Sequence, residues 1–381
     1  MNELKKLMIL VEWFTPGYKA GGPIQSCLNI ALALKEHYDI YVLTTDRDHG
    51  ETQPYFGIKA NSWIESEQLG IKIYYINKQL ISFKQVAKEI KTIAPDFIYL
   101  NLFFSPYFVI YPLWLKFRNK IDAPMVICPR GNLYDSALSL KWYKKKPMLL
   151  LYKKMNIMHY VKFHATNERE KLAINHFFPN SHIQVANNLP NINQPAFAML
   201  HKEPGKINCI FIARIVPIKN LLFILKLLEK IKGQVNFTIV GPQENVLYWN
   251  ECETKITVLP KNITVNYLGA KSNSELTRLL QQSHLFVLPT TGENFGHSIF
   301  ESFLAGRPVL ISDQTPWLNL THANVGWDLP LDAPAAFINA IEKGSAWNQQ
   351  EFDVFAKAAW QYAHNFINNP SLIKPYHQLF S

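Results

Sequence analysis

Short apolar runs alternate with helix-length segments along the chain, and this alternation restricts the fold more than any other feature of the sequence. In the first half, each predicted strand is followed by turn residues, and helical segments separate several of the strands. Strands linked through helices form right-handed crossovers, so the pattern predicts a parallel sheet covered by helices on both faces. The predicted strands are Lys6–Phe14, Asp39–Thr45, Ile71–Ile76, Phe97–Asn101 and Met125–Cys128, and the predicted helices are Pro23–Leu34, Ser82–Thr92 and Ser105–Phe117.

The same alternation starts again after a stretch without clear periodicity. Residues 189–206 contain three prolines and one glycine, a composition typical of a linker. The strands predicted after it are Ile207–Ala213, Asn236–Val240, Ile263–Tyr267, Leu285–Leu288 and Pro308–Ile311, and the helices are Asn220–Lys230, Ser272–Gln282 and Ser298–Ala305.

This order predicts two doubly wound α/β domains. We expect an N-terminal domain at 1–188, a linker at 189–206 and a C-terminal domain at 207–356, with a helix at about 357–381 that packs back onto the first domain. The length of 381 residues fits two domains of about 150 residues each. Two such domains form a cleft at the carboxyl ends of their strands, where ligands commonly bind.

Composition excludes several classes of protein. Hydrophobic residues make up 48% of the chain and charged residues 18%, which excludes a disordered protein. The four cysteines are scattered without a CxxC pair, so neither a zinc ribbon nor a disulfide scaffold is predicted, and a cytoplasmic location is favoured. The net charge of +10 indicates an anionic partner, whether nucleic acid, a membrane surface or a phosphorylated ligand.

One stretch has the length of a membrane span. Residues 97–115 carry no charge over nineteen positions, close to the roughly 20 residues that a spanning helix needs. Pro106 falls where a turn from strand to helix is expected, so we interpret the stretch as a buried strand followed by an apolar helix. The apolar run near the N-terminus stops at Glu12, too short for a signal peptide.

The strongest candidate site lies at 285–317. A predicted strand leads into a loop that contains Glu293, and the following helix carries Glu301 eight positions later. Gly292 and Gly296 allow backbone amides to face a ligand, and the helix start adds partial positive charge, which favours phosphate or sugar hydroxyls. A carboxylate such as Glu301 can accept hydrogen bonds from both hydroxyls of a ribose. Either glutamate taken alone is more often a solvated side chain.

Two cations and a glycine pair form the other candidate sites. Arg214 and Lys219 flank the turn after the first strand of the second domain. A guanidinium fork with an ammonium suits a diphosphate, and two ordinary surface cations are an equal alternative. Gly21 and Gly22 precede the first helix, where glycine permits close approach to a ligand and a plain turn is equally common.

Taken together, these residues resemble glycosyltransferase family 4, whose members have the GT-B fold of two facing Rossmann-like domains. The resemblance implies that the domain at 1–188 lies on the acceptor side and that the domain at 207–356 binds the nucleotide sugar. Glu293 and Glu301 match the E-x7-E motif of that family, and the other matches occur in the family's order over nearly the whole chain. They are Gly21-Gly22, Arg214 with Lys219, Val240-Gly241-Pro242, Tyr267-Leu268-Gly269 and Asn294-Phe295-Gly296.

The resemblance implies a retaining transfer from a nucleotide-diphosphate sugar. The donor would be a UDP- or GDP-sugar, which is a substrate, and neither a cofactor nor a metal would be needed. Glu293, Arg214 and Lys219 would be catalytic, the two cations by holding the diphosphate. The remaining donor-binding residues would be Glu301 at the ribose, Asn294, Phe295 and Gly296 at the sugar, Lys271 in the turn near the base, and Gly21, Gly22 and Gly241.

The first domain departs from the family pattern. Many members carry a histidine after one of two central strands, whereas here these strands end in Asn101 and in Cys128-Pro129-Arg130-Gly131. The second ending resembles a PRG variant of exopolysaccharide and O-antigen transferases, as does His164-Ala165-Thr166. Asn101 and Arg130 are expected to point into the cleft toward acceptor or donor. A retaining transfer guided by the leaving phosphate needs no nucleophile from the enzyme.

A basic segment at 141–162 is the candidate contact with an anionic membrane surface. Its seven lysines alternate with aromatic and aliphatic residues and no acidic ones, as in interfacial membrane segments. An amphipathic helix packed on the first domain is the alternative. The resemblance implies a glycan or polyprenyl-diphosphate-linked acceptor, used in surface polysaccharide synthesis (lipopolysaccharide or capsule) by a peripheral protein at the inner face of the cytoplasmic membrane.

Three other functions are compatible with parts of the sequence. A nucleotide-sugar 2-epimerase shares the fold and the donor but does not need this E-x7-E placement. A nucleic-acid-binding protein is suggested only by the net charge, and no nucleic-acid module is recognisable, so no nucleic-acid partner is expected. A non-catalytic sugar-binding protein is disfavoured because both cations and both glutamates are present together.

Overall fold

A computed structural model describes residues 3–139, 142–191 and 196–381 and confirms the predicted α/β class. The chain divides into two compact units. Unit 1 comprises Met1–Pro190 and Pro370–Ser381, and unit 2 comprises Asn191–Asn369. Residues 192–195 of the predicted linker and Lys141 of the basic segment lie outside the described residues.

The sheet of unit 1 is parallel except at one edge. Its strands lie in the order β3-β4-β2-β1-β5-β6-β7-β8, and β3 pairs antiparallel with β4. The strands are β1 (Lys6–Leu10), β2 (Asp39–Thr45), β3 (Trp63–Ser66), β4 (Ile71–Ile76), β5 (Phe97–Asn101), β6 (Met125–Cys128), β7 (Val161–Ala165) and β8 (Ile183–Val185).

Helices cover both faces of this sheet. Met8 and Leu10 of β1 belong to one buried cluster and Leu7 and Ile9 to another, because successive side chains of a strand point to opposite faces. The helices are α1 (Gly22–Leu34), α2 (Phe83–Ile93), α3 (Tyr111–Phe117), α4 (Asp135–Ser139), α5 (Trp142–Lys154) and α6 (Glu168–Phe177).

The uncharged stretch 97–115 consists of β5, a π-helical turn at Pro106–Ile110 and most of α3. The interpretation as a buried strand followed by an apolar helix is therefore confirmed. Among the helices of the described residues, none combines the length and the apolar character that crossing a bilayer requires.

The sheet of unit 2 is parallel throughout the described strands, in the order β11-β10-β9-β12-β13-β14. The strands are β9 (Lys206–Ile212), β10 (Gln234–Val240), β11 (Ile263–Tyr267), β12 (Leu285–Leu288), β13 (Val309–Ser312) and β14 (Gly326–Leu329). The helices are α7 (Leu221–Leu228), α8 (Val246–Thr257), α9 (Asn273–Gln281), α10 (His297–Leu304), α11 (Pro334–Ala346) and α12 (Gln349–Ile367).

The C-terminal segment differs from the sequence-based expectation of one helix at about 357–381. Helix α12 belongs to unit 2, where the rings of Phe300 and Phe366 lie 5.2 Å apart. Only the segment from Pro370, with α13 (Lys374–Leu379), belongs to unit 1, where the Tyr376 hydroxyl donates to the carbonyl of Asn187 at 2.9 Å. Pro370 explains the division, because the residue before a proline disfavours helical geometry.

Candidate functional site

Backbone hydrogen bonds link the loops at the carboxyl end of the unit 2 sheet. The loops follow β9, β10, β11 and β12, and these strands are neighbours in the sheet. The N–H of Gly241 donates to the carbonyl of Gly269 at 2.9 Å, and the N–H of Thr291 donates to that of Ile218 at 2.8 Å. All the residues that the sequence assigns to the donor site in the second domain lie in these loops or in α10, so one sheet edge carries them.

Lys219 and Glu293 form the central contact of this edge. Lys219 ends a 3-10 turn after β9, and its Nζ lies 2.5 Å from Oε2 of Glu293. The two side chains are only 14% and 17% exposed. Because little water screens the pair, its attraction is stronger than that of a surface ion pair.

The Glu293 carboxyl experiences opposing electrostatic effects. Burial alone would raise its pKa. The Lys219 ammonium and the N–H of Asn294, 3.1 Å from Oε1, outweigh burial and hold the pKa of Glu293 below its ordinary value. Glu293 is therefore a carboxylate at neutral pH, able to accept hydrogen bonds.

The start of α10 provides backbone donors beside this carboxylate. Gly296 precedes the helix with φ 78°, in the left-handed region that favours glycine, and a Cβ there would lie 2.6 Å from Cδ1 of Ile299. The first amides of a helix have no partners within the helix. The Phe295 ring is buried, with its centroid 5.2 Å from that of Trp317, so its backbone N–H is the group that could reach a ligand.

Glu301 lies in the second turn of α10, half-buried. Its carboxylate makes no hydrogen bond or ion pair with any residue in the described ranges 3–139, 142–191 and 196–381. Burial raises the pKa of Glu301 to about 7. A half-buried carboxylate without a protein partner can accept hydrogen bonds from a ligand.

The other two cations of this edge have different partners. Arg214 is 42% exposed and its Nη1 lies 2.9 Å from Oε2 of Glu244, in the loop after β10. Lys271 follows β11 and lies 3.4 Å from Oε1 of Glu275 in the first turn of α9. The structure therefore pairs Lys219 with Glu293, whereas Arg214 and Lys271 pair with carboxylates outside the predicted site.

Gly241 lies where the backbone after β10 crosses the end of β9. Its φ is 146°, and a Cβ would lie 1.9 Å from the carbonyl oxygen of Ala213. No side chain fits in that space. The glycine therefore allows the two loops to approach closely.

The glycine pair of the first domain begins α1 in unit 1. Gly21 has φ 66°, in the left-handed region that favours glycine, whereas a Cβ there would meet no atom within 4 Å. Glycine is therefore favoured by the backbone conformation and not by a lack of room for a side chain. The Asp48 carboxylate, in the loop after β2, accepts the N–H groups of Tyr18 and Lys19 at 2.7 and 3.0 Å. These two amides of the loop are therefore used within the protein.

Arg130 and Asn101 are bonded to each other in unit 1. Arg130 has φ 52°, and its Nε donates to Oδ1 of Asn101 at 2.6 Å. Its remaining nitrogens donate to the Tyr99 hydroxyl at 2.9 Å and to Oδ1 of Asn188. Asn101 is 1% exposed, and its Nδ2 has no partner in the described part of the chain.

The PRG and His-Ala-Thr motifs meet in the same network. Nδ1 of His164 lies 2.9 Å from the Tyr99 hydroxyl that Arg130 contacts. Glu170, fully buried at the start of α6, accepts the N–H of Gly131 at 2.5 Å and that of Thr166 at 2.8 Å. Burial and the Arg130 charge lower the pKa of His164 to about 3, so this histidine is neutral.

The sequence interpretation missed polar residues at the carboxyl end of the unit 1 sheet. The sequence predicts Glu12 inside a strand that ends at Phe14, whereas β1 ends at Leu10 and Glu12 lies in the loop. Its Oε2 is 3.4 Å from Oγ of Ser105. Burial raises the pKa of the Glu12 carboxyl, against the opposing effects of Lys78, Ser105 and His49. The signal in the sequence is an acidic residue directly after an apolar run.

Comparison with known proteins adds a family match to this geometry. Residues 195–343 match the family described as Glycosyl transferases group 1. A search of curated proteins gives no significant match.

Solved structures with similar folds cover 98% or more of the chain. HepE of Anabaena, determined with UDP and glucose, is 17% identical with a TM-score of 0.69, covering 98% of both chains. Sucrose-phosphate synthase of Thermosynechococcus elongatus is 15% identical with a TM-score of 0.67, covering 99% of this chain and 98% of that one. TarM of S. aureus is 14% identical with a TM-score of 0.66, covering 99% and 100%.

This likeness shows the GT-B fold, with its two Rossmann-like domains, and confirms the predicted fold class. The family match is confined to residues of unit 2, which carries the predicted donor site. The matched residues include the paired Lys219 and Glu293.

Proposed function

We propose that the chain is a retaining, metal-independent glycosyltransferase of family 4, of the PRG type. It moves a hexosyl or acetamidohexosyl group from a UDP- or GDP-sugar to a glycan or polyprenyl-diphosphate-linked acceptor in surface polysaccharide synthesis, as a peripheral protein at the inner face of the cytoplasmic membrane. The contact between Lys219 and Glu293 carries the proposal, because it places a cation and a carboxylate beside the start of α10.

The donor would occupy the carboxyl edge of the unit 2 sheet. Lys219 and Arg214 would bind the diphosphate, and Glu301, which has no partner among the described residues, would accept hydrogen bonds from the ribose. Glu293 and the backbone donors up to Gly296 would hold the sugar. The structures of HepE were determined with UDP and with UDP-glucose, so a UDP-sugar is the first donor to test.

In the proposed reaction the bond from the anomeric carbon to the diphosphate oxygen breaks while a bond to the acceptor oxygen forms on the same face. The proton of the acceptor hydroxyl passes to the leaving phosphate. Negative charge grows on the diphosphate, and Lys219, Arg214 and the helix start are positioned to stabilise it as it develops. These groups supply the positive charge that a metal would otherwise provide.

Helix α5 supports the proposed contact with an anionic membrane. Leu149 and Tyr152 pack into the core of unit 1, as the alternative of an amphipathic helix requires. Tyr143 and Leu150 nevertheless remain 71% and 59% exposed. The exposed lysines of the helix are Lys144, Lys146, Lys153 and Lys154. Exposed apolar side chains among lysines favour an interfacial location.

The proposal is tested with the purified protein and a panel of UDP- and GDP-sugars. Binding of each sugar is measured by calorimetry, and the products formed with and without lipid-linked or glycan acceptors are identified by NMR. We expect transfer with retained anomeric configuration, unaffected by EDTA. An inverted product, or activity that EDTA removes and Mg²⁺ restores, would contradict the mechanism, and an epimerised sugar without acceptor would indicate a 2-epimerase instead.

A further inference from the structure

A second polar cluster lies at the carboxyl edge of the unit 1 sheet. Four neighbouring parallel strands, in the order β4-β2-β1-β5, each lead into a loop that carries a polar side chain. These side chains are Lys78 after β4, Asp48-His49 after β2, Glu12 after β1 and Ser105 after β5. The carboxyl ends of parallel strands meet at one edge, where ligands of open α/β sheets bind. The loops after four neighbouring strands therefore place these side chains together.

The main chain at Glu12 is held firmly while its side chain is not. The carbonyl of Glu12 accepts the N–H and the hydroxyl of Thr45, at 3.3 and 2.6 Å. The carboxylate has one long hydrogen bond, 3.4 Å from the Ser105 hydroxyl, among the residues that the structure describes, and the nearby charges of Lys78 and His49 offset its burial only in part. A half-buried carboxylate whose only hydrogen bond among the described residues is long has capacity to accept hydrogen bonds from a ligand.

The neighbouring Trp13 supplies an aromatic ring and an unused donor. Its indole N–H is buried and has no acceptor in the described part of the chain. Its ring meets that of His49 edge to face, with 4.6 Å between centroids. A buried donor without an acceptor requires an explanation, and a ligand oxygen would satisfy it.

We propose that Glu12, Trp13 and His49 form a hexose-binding subsite for the sugar unit of the acceptor. The Glu12 carboxylate would accept hydrogen bonds from two neighbouring hydroxyls of the sugar, the indole and imidazole rings would contact its apolar face, and the indole N–H would donate to one of its oxygens. Assigning this hexose to the acceptor rests on the proposed function, which gives the donor to unit 2. The occupant is thus a carbohydrate rather than the lipid or diphosphate part of the acceptor.

The test measures binding of simple sugars to the full chain. Methyl α- and β-glycosides of glucose, galactose, mannose and N-acetylglucosamine are titrated in saturation-transfer NMR, and UDP-glucose and its GDP counterpart in calorimetry. We expect at least one hexoside to bind, and Glu12→Gln to weaken it roughly 10- to 100-fold, the effect of losing a charged hydrogen bond. The nucleotide-sugar Kd and the thermal unfolding midpoint of that variant should equal those of wild type.

The matched control is Glu67→Gln, because Glu67 is exposed and lies on the surface of unit 1. This variant should bind every hexoside as wild type does. Failure of all hexosides to bind wild type, or equal binding by Glu12→Gln, would overturn the subsite. Glu12-dependent hexoside binding without any nucleotide-sugar binding would support the subsite and contradict the proposed function instead.

Discussion

Lys219 Nζ lies 2.5 Å from Oε2 of Glu293, and this contact joins the loop after β9 to the loop after β12 across two adjacent strands. The residues are far apart in the chain, and parallel pairing brings them to the same edge. Thr290 strengthens the link, because its hydroxyl donates to the carbonyl of Ile218 at 2.9 Å. A positive charge is thereby fixed beside the helix that begins after Gly296.

Replacing Lys219 by alanine should lower kcat/KM for the nucleotide sugar by about 10²-fold, because the ammonium would no longer stabilise the growing diphosphate charge. Steady-state kinetics with a UDP-sugar measures the effect. The control is Lys255→Ala, since Lys255 pairs with Glu229 on the surface away from these loops. A Lys219→Ala enzyme with the rate of this control would show that the cation has no catalytic role.

The two glutamates should separate donor binding from turnover. Glu301→Gln should raise the nucleotide-sugar Kd roughly tenfold or more, because Glu301 would bind the ribose. Glu293→Gln should mainly lower kcat, because Glu293 would contact the reacting sugar. Calorimetry and kinetics on both variants distinguish the roles. Glu253→Gln, an exposed change on α8, serves as the control. Wild-type Kd and kcat in both variants would refute the assignment.

Donor affinity should depend on pH through Glu301. Burial raises the pKa of this carboxyl to about 7. The ionised form, populated above that pKa, accepts hydrogen bonds at both oxygens, and protonation turns one oxygen into a donor. The Kd should therefore rise as the pH falls from about 8 to about 6, and Glu301→Gln should flatten the profile. A wild-type Kd that is constant over this range would contradict the prediction.

Two glycines of unit 2 should differ in their tolerance of alanine. Both have positive φ, but a Cβ at Gly241 would lie 1.9 Å from a carbonyl oxygen and one at Gly269 would meet nothing within 4 Å. Gly269→Ala should cost about 1–2 kcal/mol of unfolding free energy. Gly241→Ala should cost clearly more, because the backbone must also move. Thermal unfolding of the two variants measures the difference, and equal midpoints would be inconsistent with the steric argument.

Exposed lysines of α5 should govern binding to anionic vesicles. Changing Lys144, Lys146 and Lys154 to glutamine should weaken sedimentation with phosphatidylglycerol vesicles at low salt, since each lysine contributes about 1 kcal/mol near an anionic surface. Lys145 is left unchanged because its Nζ donates to the carbonyl of Ala137 at 2.5 Å. The control variant replaces three exposed lysines of unit 2, Lys226, Lys230 and Lys232, by glutamine. Equal sedimentation of the two triple variants would exclude a specific role for α5.

Much of the fold could be predicted from local patterns. The apolar runs at 39–45, 71–76 and 285–288 are strands with the predicted bounds, because burial on both faces of a parallel sheet leaves a continuous apolar sequence. The short strands β3, β8 and β14 and the five-residue strand β7 were not predicted. Three or four residues with partial burial carry too little periodicity to separate a strand from a loop.

What the sequence by itself determined is the set of residue types at each strand end, including the two glutamates eight positions apart and the glycines that close turns require. Only the tertiary structure decided which of them meet. Lys219 pairs with Glu293, Arg214 with Glu244, and Arg130 with Asn101. These pairs depend on the order of strands in each sheet, and that order arises from long-range packing that no local sequence pattern contains. Glu12 shows the same limit, because strand pairing in the sheet ends β1 at Leu10 and so places this residue in a loop.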